Sequence, residues 1–312
     1  MKQCGIRAVI DVFLAVNRER NPGGLRRGFK SVKISGFTIT RNAIEFNYPV
    51  VESIKSILPI CDEFIVNIGD SQDKTLELIQ SIRDPKIKIN QNKWDFSEGK
   101  TVLSRQTNIA LSECKGDWAF YLQSDEVIHE KDLPILKKIM SKYLNNPDIE
   151  ALRFAWLHFY GSYYRYRVDS GWFQKQDRII RNNGMMQSFV DAYGFERKDK
   201  LPLNRKKTGC FIYHYGWVQS PDLMTQRRVN AERIGFTQLY SEERTKDYDF
   251  GSLDRFPAYF GTHPAVMTER ILNHKLSVLD WKNISKRYWW FPLKWFRVRF
   301  KTPLRKKRRI CR

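Results

Sequence analysis

The stretch GDWAFYLQSDEVIHEKD, residues 116–132, changes character abruptly. An apolar run from Trp118 to Leu122 stops at Gln123-Ser124-Asp125-Glu126, and Val127 and Ile128 follow. A buried strand that ends this way carries carboxylates to its tip. Asp125 and Glu126 could there hold a hard divalent cation, which prefers oxygen ligands. Mg²⁺ is usually held by one or two carboxylates plus substrate phosphates. A nucleoside diphosphate supplies such phosphates, and it departs poorly until a Lewis acid neutralises its charge.

The elements that must position this acidic knuckle are legible on either side. KISGFTITR (33–41) is β-branched and half alternating, which predicts a strand. YPVVESIKSILPI (48–60) places Val51, Ile54, Ile57 and Leu58 at helical spacing. DEFIVNIGD (62–70) is a second strand ending in a polar loop. SQDKTLELIQSI (71–82) reads as a helix with Ser71 as its N-cap. KIKINQ (86–91) is a third strand, and KTVLSRQTNIALSEC (100–114) a helix. Strands alternating with helices predict an α/β fold with a doubly wound parallel sheet. Ligands bind such sheets beyond the carboxyl ends of the strands. Those ends here carry ITRN, NIGD and QSDE, three polar loops after apolar strands.

Beyond residue 150 the spacing loosens. ALRFAWLHFYGSYYRYRV (151–168) predicts a long strand or hairpin, and QDRIIRN (176–182) and TGCFIYHYGWV (208–218) two more strands. Residues 220–240 predict a helix with Ser220 as cap and Pro221 at its first position.

Three segments, in this order and spacing, carry a family resemblance: ISGFTITRNA, DEFIVNIGDSQDKTLELI and CKGDWAFYLQSDEVIHEKD. Residues 33 to 218 resemble a family 2 glycosyltransferase of the GT-A type. Such enzymes show a strand ending in a short turn, a strand ending in DDGSxDxT, and an apolar strand ending in a DxD-type motif. The resemblance implies a GT-A sheet with helices on both faces, a mixed α+β acceptor half and a basic C-terminal extension. It implies that Thr38, Thr40 and Asn42 line the nucleotide pocket. Gly69, Asp70 and Asp73 would surround base and ribose. Gln123, Ser124 and Asp125 stand at the DxD position, with Asp125 on metal and diphosphate. The first aspartate of DxD is Gln123 here, and NIGDSQD replaces the usual VDDGSTD.

An inverting transfer needs a carboxylate to take the acceptor proton. The family places it well after the DxD motif, where Asp177, Asp191 and Glu196 are the candidates. Asp191, after an apolar run in SFVDAYGFE, is preferred; Asp177 between Gln176 and Arg178 reads as an ion pair. A late histidine often completes the metal or diphosphate site, and His214 in YHYGWV is chosen over His129, His158, His263 and His274. A buried structural histidine explains His214 equally well. Arg105, on the helix before the knuckle, could touch the diphosphate, although a solvated helix face is its ordinary fate. The resemblance therefore implies an inverting glycosyltransferase using Mg²⁺ or Mn²⁺. Its donor would be a nucleotide-sugar, a UDP-sugar first among them, and its acceptor a bacterial envelope or lipid-linked glycan such as lipopolysaccharide.

Composition bounds these readings. Hydrophobic residues make up 42% and aromatics 14%, enough for a sizeable core, so wholesale disorder is excluded. The formal net charge of +21 calls for an anionic partner. Residues 286–312 contain no acid and interleave Trp289, Trp290, Trp295 and Phe296 with lysines and arginines. Tryptophan flanked by cations marks an interfacial membrane segment. The expected organisation is a basic arm at 1–32, a donor half at 33–150, an acceptor half at 151–240 and a membrane-associating extension at 241–312. No run of about 18 apolar residues is present. Five scattered cysteines without metal spacing suit a reducing compartment. The expected location is cytoplasmic, peripheral on the inner face of the membrane. A non-catalytic relative that binds nucleotide-sugar remains open. A nucleotidyltransferase would want a Gly-rich basic loop after the first strand, which SGFTITRN lacks. A nucleic-acid-binding protein explains the charge but not a carboxylate knuckle, so no nucleic acid partner is expected.

Overall fold

The first strand, β1 (Ile34–Thr40), is buried along its whole length and lies inside the sheet. The computed structural model describes residues 31–169, 175–233, 235 and 246–274. Nearly all of the basic arm and the whole aromatic tail of 286–312 lie outside the described residues.

Parallel to β1 run β2 (Glu63–Gly69) on one side and β4 (Trp118–Tyr121) on the other, and β3 (Ile87–Asn92) extends the sheet beyond β2. The sequence then supplies β5 (Glu126–Ile128), β6 (Ala151–Tyr160), β7 (Tyr166–Arg167), β8 (Lys175–Arg181), β9 (Met186–Phe189), β10 (Gly194–Arg197) and β11 (Arg205–Trp217). The main sheet has the order β3-β2-β1-β4-β8-β6-β11-β5, with β7 paired to β6. Its first four strands are parallel. Beyond β4 it is mixed: β8 lies antiparallel between β4 and β6, β11 parallel to β6, and β5 antiparallel to β11. Two reversals across β8 leave β1, β2, β3, β4, β6 and β11 with their carboxyl ends at one edge. β9 and β10 form a separate hairpin.

Helix α1 (Val50–Ile57) buries Val50, Ile54 and Ile57 at four- and three-residue steps, which gives one apolar face. It packs with α2 (Thr75–Gln80) and α4 (Leu133–Lys142) in a cluster with Ile34, Phe64, Trp118 and Phe120. Helix α3 (Thr101–Ser112) and the β9–β10 hairpin cover the other face through Val102, Ala110, Met186 and Phe195, against Phe37, Ile65 and Tyr121. A third cluster gathers Val127, Phe159, Tyr163, Tyr213, Tyr215 and Met267. Two C-terminal helices complete the described chain, α5 (Pro221–Arg233) and α6 (Thr268–Asn273). The helix expected at 71–82 begins at Thr75, and Ser71 is not its cap. The sequence reading passed over α4, whose start carries Pro134.

Burial in the third cluster has a measurable consequence. His263 shares its Nδ1 with the Tyr215 hydroxyl at 2.8 Å, and burial lowers its pKa from 6.5 to about 4. The folded chain therefore binds fewer protons than the unfolded chain between those values. Stability is fully present above pH 6.5 and is lost as the pH falls toward 4, by about 3 kcal/mol from this residue. Denaturant melts across pH 4–7 should show that loss in the wild type and a markedly shallower one in His263→Gln.

Candidate active site

The turn after β4 takes its shape from a carboxylate that points inward. Glu126 accepts from the backbone N–H of Gln123 at 3.0 Å and forms a bidentate pair with Arg178 of β8, both contacts at 2.8 Å. Both side chains are 0% exposed. Arg178 also donates to the carbonyl of Tyr193 at 3.1 Å and lies 5.3 Å from the ring centres of Tyr121 and Trp156. A charge so deeply buried is tolerated only when it is paired and hydrogen-bonded, as here.

With Glu126 held inside, Asp125 is the carboxylate left for chemistry. Its Oδ2 lies 3.4 Å from Nε2 of His214, on β11. Burial pushes the Asp125 carboxyl up, but His214 and then Arg227 outweigh it and hold the group below the usual carboxylate value. Gly216 makes the approach possible. A Cβ there would collide with Asp125 Oδ2 and stand 3.0 Å from His214 Nε2. Arg227, from α5, donates to the carbonyls of Gly216 (2.6 Å) and Phe46 (2.9 Å) and stacks 4.2 Å over the Tyr48 ring. The sequence reading missed Arg227, because nothing local distinguishes it from the other arginines of a polar helix.

The strand-end loops meet this knuckle. Thr38 donates its hydroxyl to the Leu122 carbonyl at 2.7 Å, and Ser124 to that of Ile39 at 2.9 Å. These two hydroxyls latch β1 to the turn after β4. Asn42 adopts a left-handed φ of 52°, and its side-chain oxygen accepts from Gln72 N–H at 2.8 Å. Ser71 accepts from Asn42 N–H at 3.1 Å, which is its actual role. Asp73 accepts from the N–H groups of Ile44 (2.9 Å), Glu45 (2.8 Å) and Thr75 (3.0 Å), and from the Thr75 hydroxyl. Its acceptor positions are taken, so it clamps the loop and does not present a carboxylate to a ribose.

At the second strand end, Asp70 accepts from Arg41 and from the Trp94 N–H, both at 3.3 Å. Gly69 leaves room for the indole of Trp94, which a Cβ would approach to 2.8 Å. Trp94 Nε1 and Thr40 Oγ1 are buried and have no hydrogen-bond partner among the described residues. Two such groups, one at the end of β1 and one just past the end of β3, are what a bound polar ligand would satisfy. Trp94 was not foreseen either. Arg105, expected to meet a diphosphate, is exposed on α3 and pairs with Glu98; the guanidinium beside Asp125 is that of Arg227.

Of the three carboxylates considered as base, Asp177 is held by Arg153 at 2.8 Å and Arg205 at 2.7 Å, and Glu196 by Lys200 and Gln187. Among the described residues, no hydrogen bond or ion pair engages Asp191. It lies in the turn between β9 and β10, flanked by Val190 and Ala192 at φ 53° and 59°. Left-handed backbone at such residues costs of order 1–3 kcal/mol and persists where its surroundings impose it. Here Gln123 Nε2 donates to the Ala192 carbonyl (3.4 Å), and Arg178 and Gln176 donate to that of Tyr193. The turn bearing Asp191 is thus tied to the knuckle bearing Asp125.

Among the described residues, no three His, Cys, Asp or Glu side chains gather as a closed metal cage. Asp125 and His214 offer one carboxylate oxygen and one imidazole nitrogen. That set fits a divalent cation whose remaining positions are filled by ligand oxygens and water. Of the other histidines, His129 bonds Thr262 at 2.9 Å and His263 bonds the Tyr215 hydroxyl. His158 touches His214, Nδ1 to Nδ1 at 3.0 Å.

The family model described as Glycosyl transferase family 2 matches residues 36–193, about half of the chain. No curated protein matches. Among solved structures, S. aureus TarS 1-349 is similar at 18% identity over 68% of each chain, with a TM-score of 0.39. The same protein in complex with UDP-GlcNAc gives 17% identity, covers 68% of this chain and 69% of that one, and has a TM-score of 0.39. The mannosyltransferase PcManGT from Pyrobaculum calidifontis, in complex with GDP-Man and Mn²⁺, is 15% identical over 46% of this chain and 41% of its own, with a TM-score of 0.31.

Breaking the buried pair should cost more than removing it. Arg178→Ala leaves Glu126 charged and alone and should lose about 3–5 kcal/mol in urea unfolding. Arg178→Met combined with Glu126→Leu should lose clearly less. Gly216→Ala should leave urea stability within about 1–2 kcal/mol, because Asp125 can swing aside, and lower sugar transfer about 100-fold by doing so.

Proposed function

The chain belongs to glycosyl transferase family 2 and is a glycosyltransferase, and from that premise we propose an inverting enzyme that transfers sugar from a nucleoside diphosphate donor to a hydroxyl of a cell-envelope glycan. The observation that carries this reading is the pairing of two carboxylates with different duties at one sheet edge. Asp125 is held below its usual pKa beside His214 and Arg227. Asp191 is presented, without an ion pair among the described residues, by a turn bonded to the same knuckle.

In this reading the donor diphosphate lies against Asp125 and Arg227. Asp125 and His214 would hold a divalent cation, which supplies Lewis-acid neutralisation of the leaving group. Thr40 and Trp94 offer their unpartnered polar atoms to the nucleoside, with Gly69 and Asp70 beside them. Gln123, bonded to the Ala192 carbonyl, sets the distance between donor and base rather than adding charge. Asp191 takes the proton of the acceptor hydroxyl as its oxygen attacks the anomeric carbon. The bond from that carbon to the diphosphate breaks, and its electron pair leaves with the diphosphate. The acceptor is proposed to be lipid-linked, and the basic, tryptophan-rich stretch 286–312 to meet an anionic membrane. No helix among the described residues is long and apolar enough to cross one.

A melting-temperature panel of UDP-, GDP-, dTDP- and CMP-sugars, with and without Mn²⁺, tests the donor site by mass action. One nucleotide should raise the melting temperature of the wild type and of Asp191→Asn, and not that of Asp125→Ala. Asp191→Asn should also lower kcat about 10²–10⁴-fold. Equal stabilisation of Asp125→Ala, or full turnover by Asp191→Asn, overturns the assignment.

A further inference from the structure

We propose that His158 is the positioning residue of this site: it accepts the Nδ1 proton of His214 and so leaves the Nε2 lone pair of His214 facing Asp125 as the second protein ligand of a divalent cation. This rests on the metal reading above.

His158 and His214 are register partners on the parallel strands β6 and β11, and their Nδ1 atoms are 3.0 Å apart. A neutral imidazole carries one ring proton, so one nitrogen donates and the other accepts. Only one proton fits between the two Nδ1 atoms. If His158 supplies it, the proton of His214 sits on Nε2, aimed at Asp125, and His214 can ligate nothing. If His214 supplies it, Nε2 is bare. Two acceptors, Nε2 and Asp125 Oδ2, then face each other at 3.4 Å, and a divalent cation fills the place that a proton takes when no metal is bound. The second assignment is the one that makes the pair a ligand set, and it needs an acceptor at the place His158 Nδ1 occupies.

The surroundings hold both rings in that relation. His158 and His214 are buried, and the Trp156 indole packs against both, edge-on to His158 at 4.6 Å and stacked on His214 at 5.6 Å. The acceptor is therefore carried by the sheet register and not by a mobile side chain. Partners of this kind fix the tautomer of a metal-binding histidine, and their loss weakens metal affinity about 10–100-fold.

The test is Mn²⁺ binding to the full chain, read from the electron paramagnetic resonance signal of free Mn²⁺, for wild type, His214→Ala, His158→Phe and His158→Asn. His158→Phe should raise the Mn²⁺ Kd about 10–100-fold. His158→Asn, whose amide oxygen stands near the Nδ1 position, should restore it to near the wild-type value. In ¹⁵N-histidine-labelled wild type with Mg²⁺, His214 should carry its proton on Nδ1. This second readout decides the matter even if His158→Phe fails to fold. Wild-type affinity in a folded His158→Phe overturns the proposal and leaves the metal site standing, whereas a His214 proton on Nε2 with Mg²⁺ bound overturns the proposal and removes His214 from the ligands of the cation. Undiminished Mn²⁺ binding by His214→Ala overturns the metal reading and the proposal together.

Discussion

The salt bridge between Glu126 and Arg178 is the constraint from which the rest of the site follows. Neither group touches water, so neither can relax without exposing an uncompensated charge. That requirement fixes the turn after β4, directs Glu126 inward and leaves Asp125 at the edge. It also fixes β8, which carries Arg178, and through the Tyr193 carbonyl it fixes the turn that carries Asp191. A well-packed apolar pair could match its contribution to stability. What an apolar pair could not do is hold two polar turns at a set separation.

A second set of polar contacts makes the loop after β1 rigid. Asp73 and Thr75 bind its backbone from one side. From the other, Asn47 bonds Gln219 at 2.8 Å and Arg270 at 2.6 Å, and Arg227 reaches the Phe46 carbonyl. The loop therefore joins residues that are far apart in sequence, and its shape exists before any ligand arrives. Preorganisation of this kind lowers the cost of binding and of reaching the transition state.

The sequence carried the first half of the fold well, because each parallel strand there is a short apolar run bounded by a polar loop. The abrupt end of Trp118–Leu122 pointed to the turn of Asp125 for the same reason. The duties of Glu126, Asp73 and Arg105 were less legible. A carboxylate at a strand end looks the same on paper whether it meets a ligand, a backbone turn or a buried arginine. Arg178, Arg227 and Trp94 were missed or undervalued because their partners lie on other strands and helices, which topology alone brings near. The placement of β8 between β4 and β6 was likewise invisible, since an apolar strand does not state its neighbours.

The pairing of β5 with β11 alone bears on how the protein is made. Ile128 waits for Ile212, and Glu126 for Arg178, before either is paired. Contacts across such sequence distances form late, after the loop-closure entropy between them has been overcome. On the ribosome, β1 to β4 can associate while the rest is still being synthesised, because their partners are already outside. The acidic turn cannot. Until β8 has emerged the nascent chain carries an unneutralised glutamate, and until residues up to about Trp217 follow, β5 has no strand to pair with. Slow synthesis or truncation in that interval exposes a species open to misfolding and degradation.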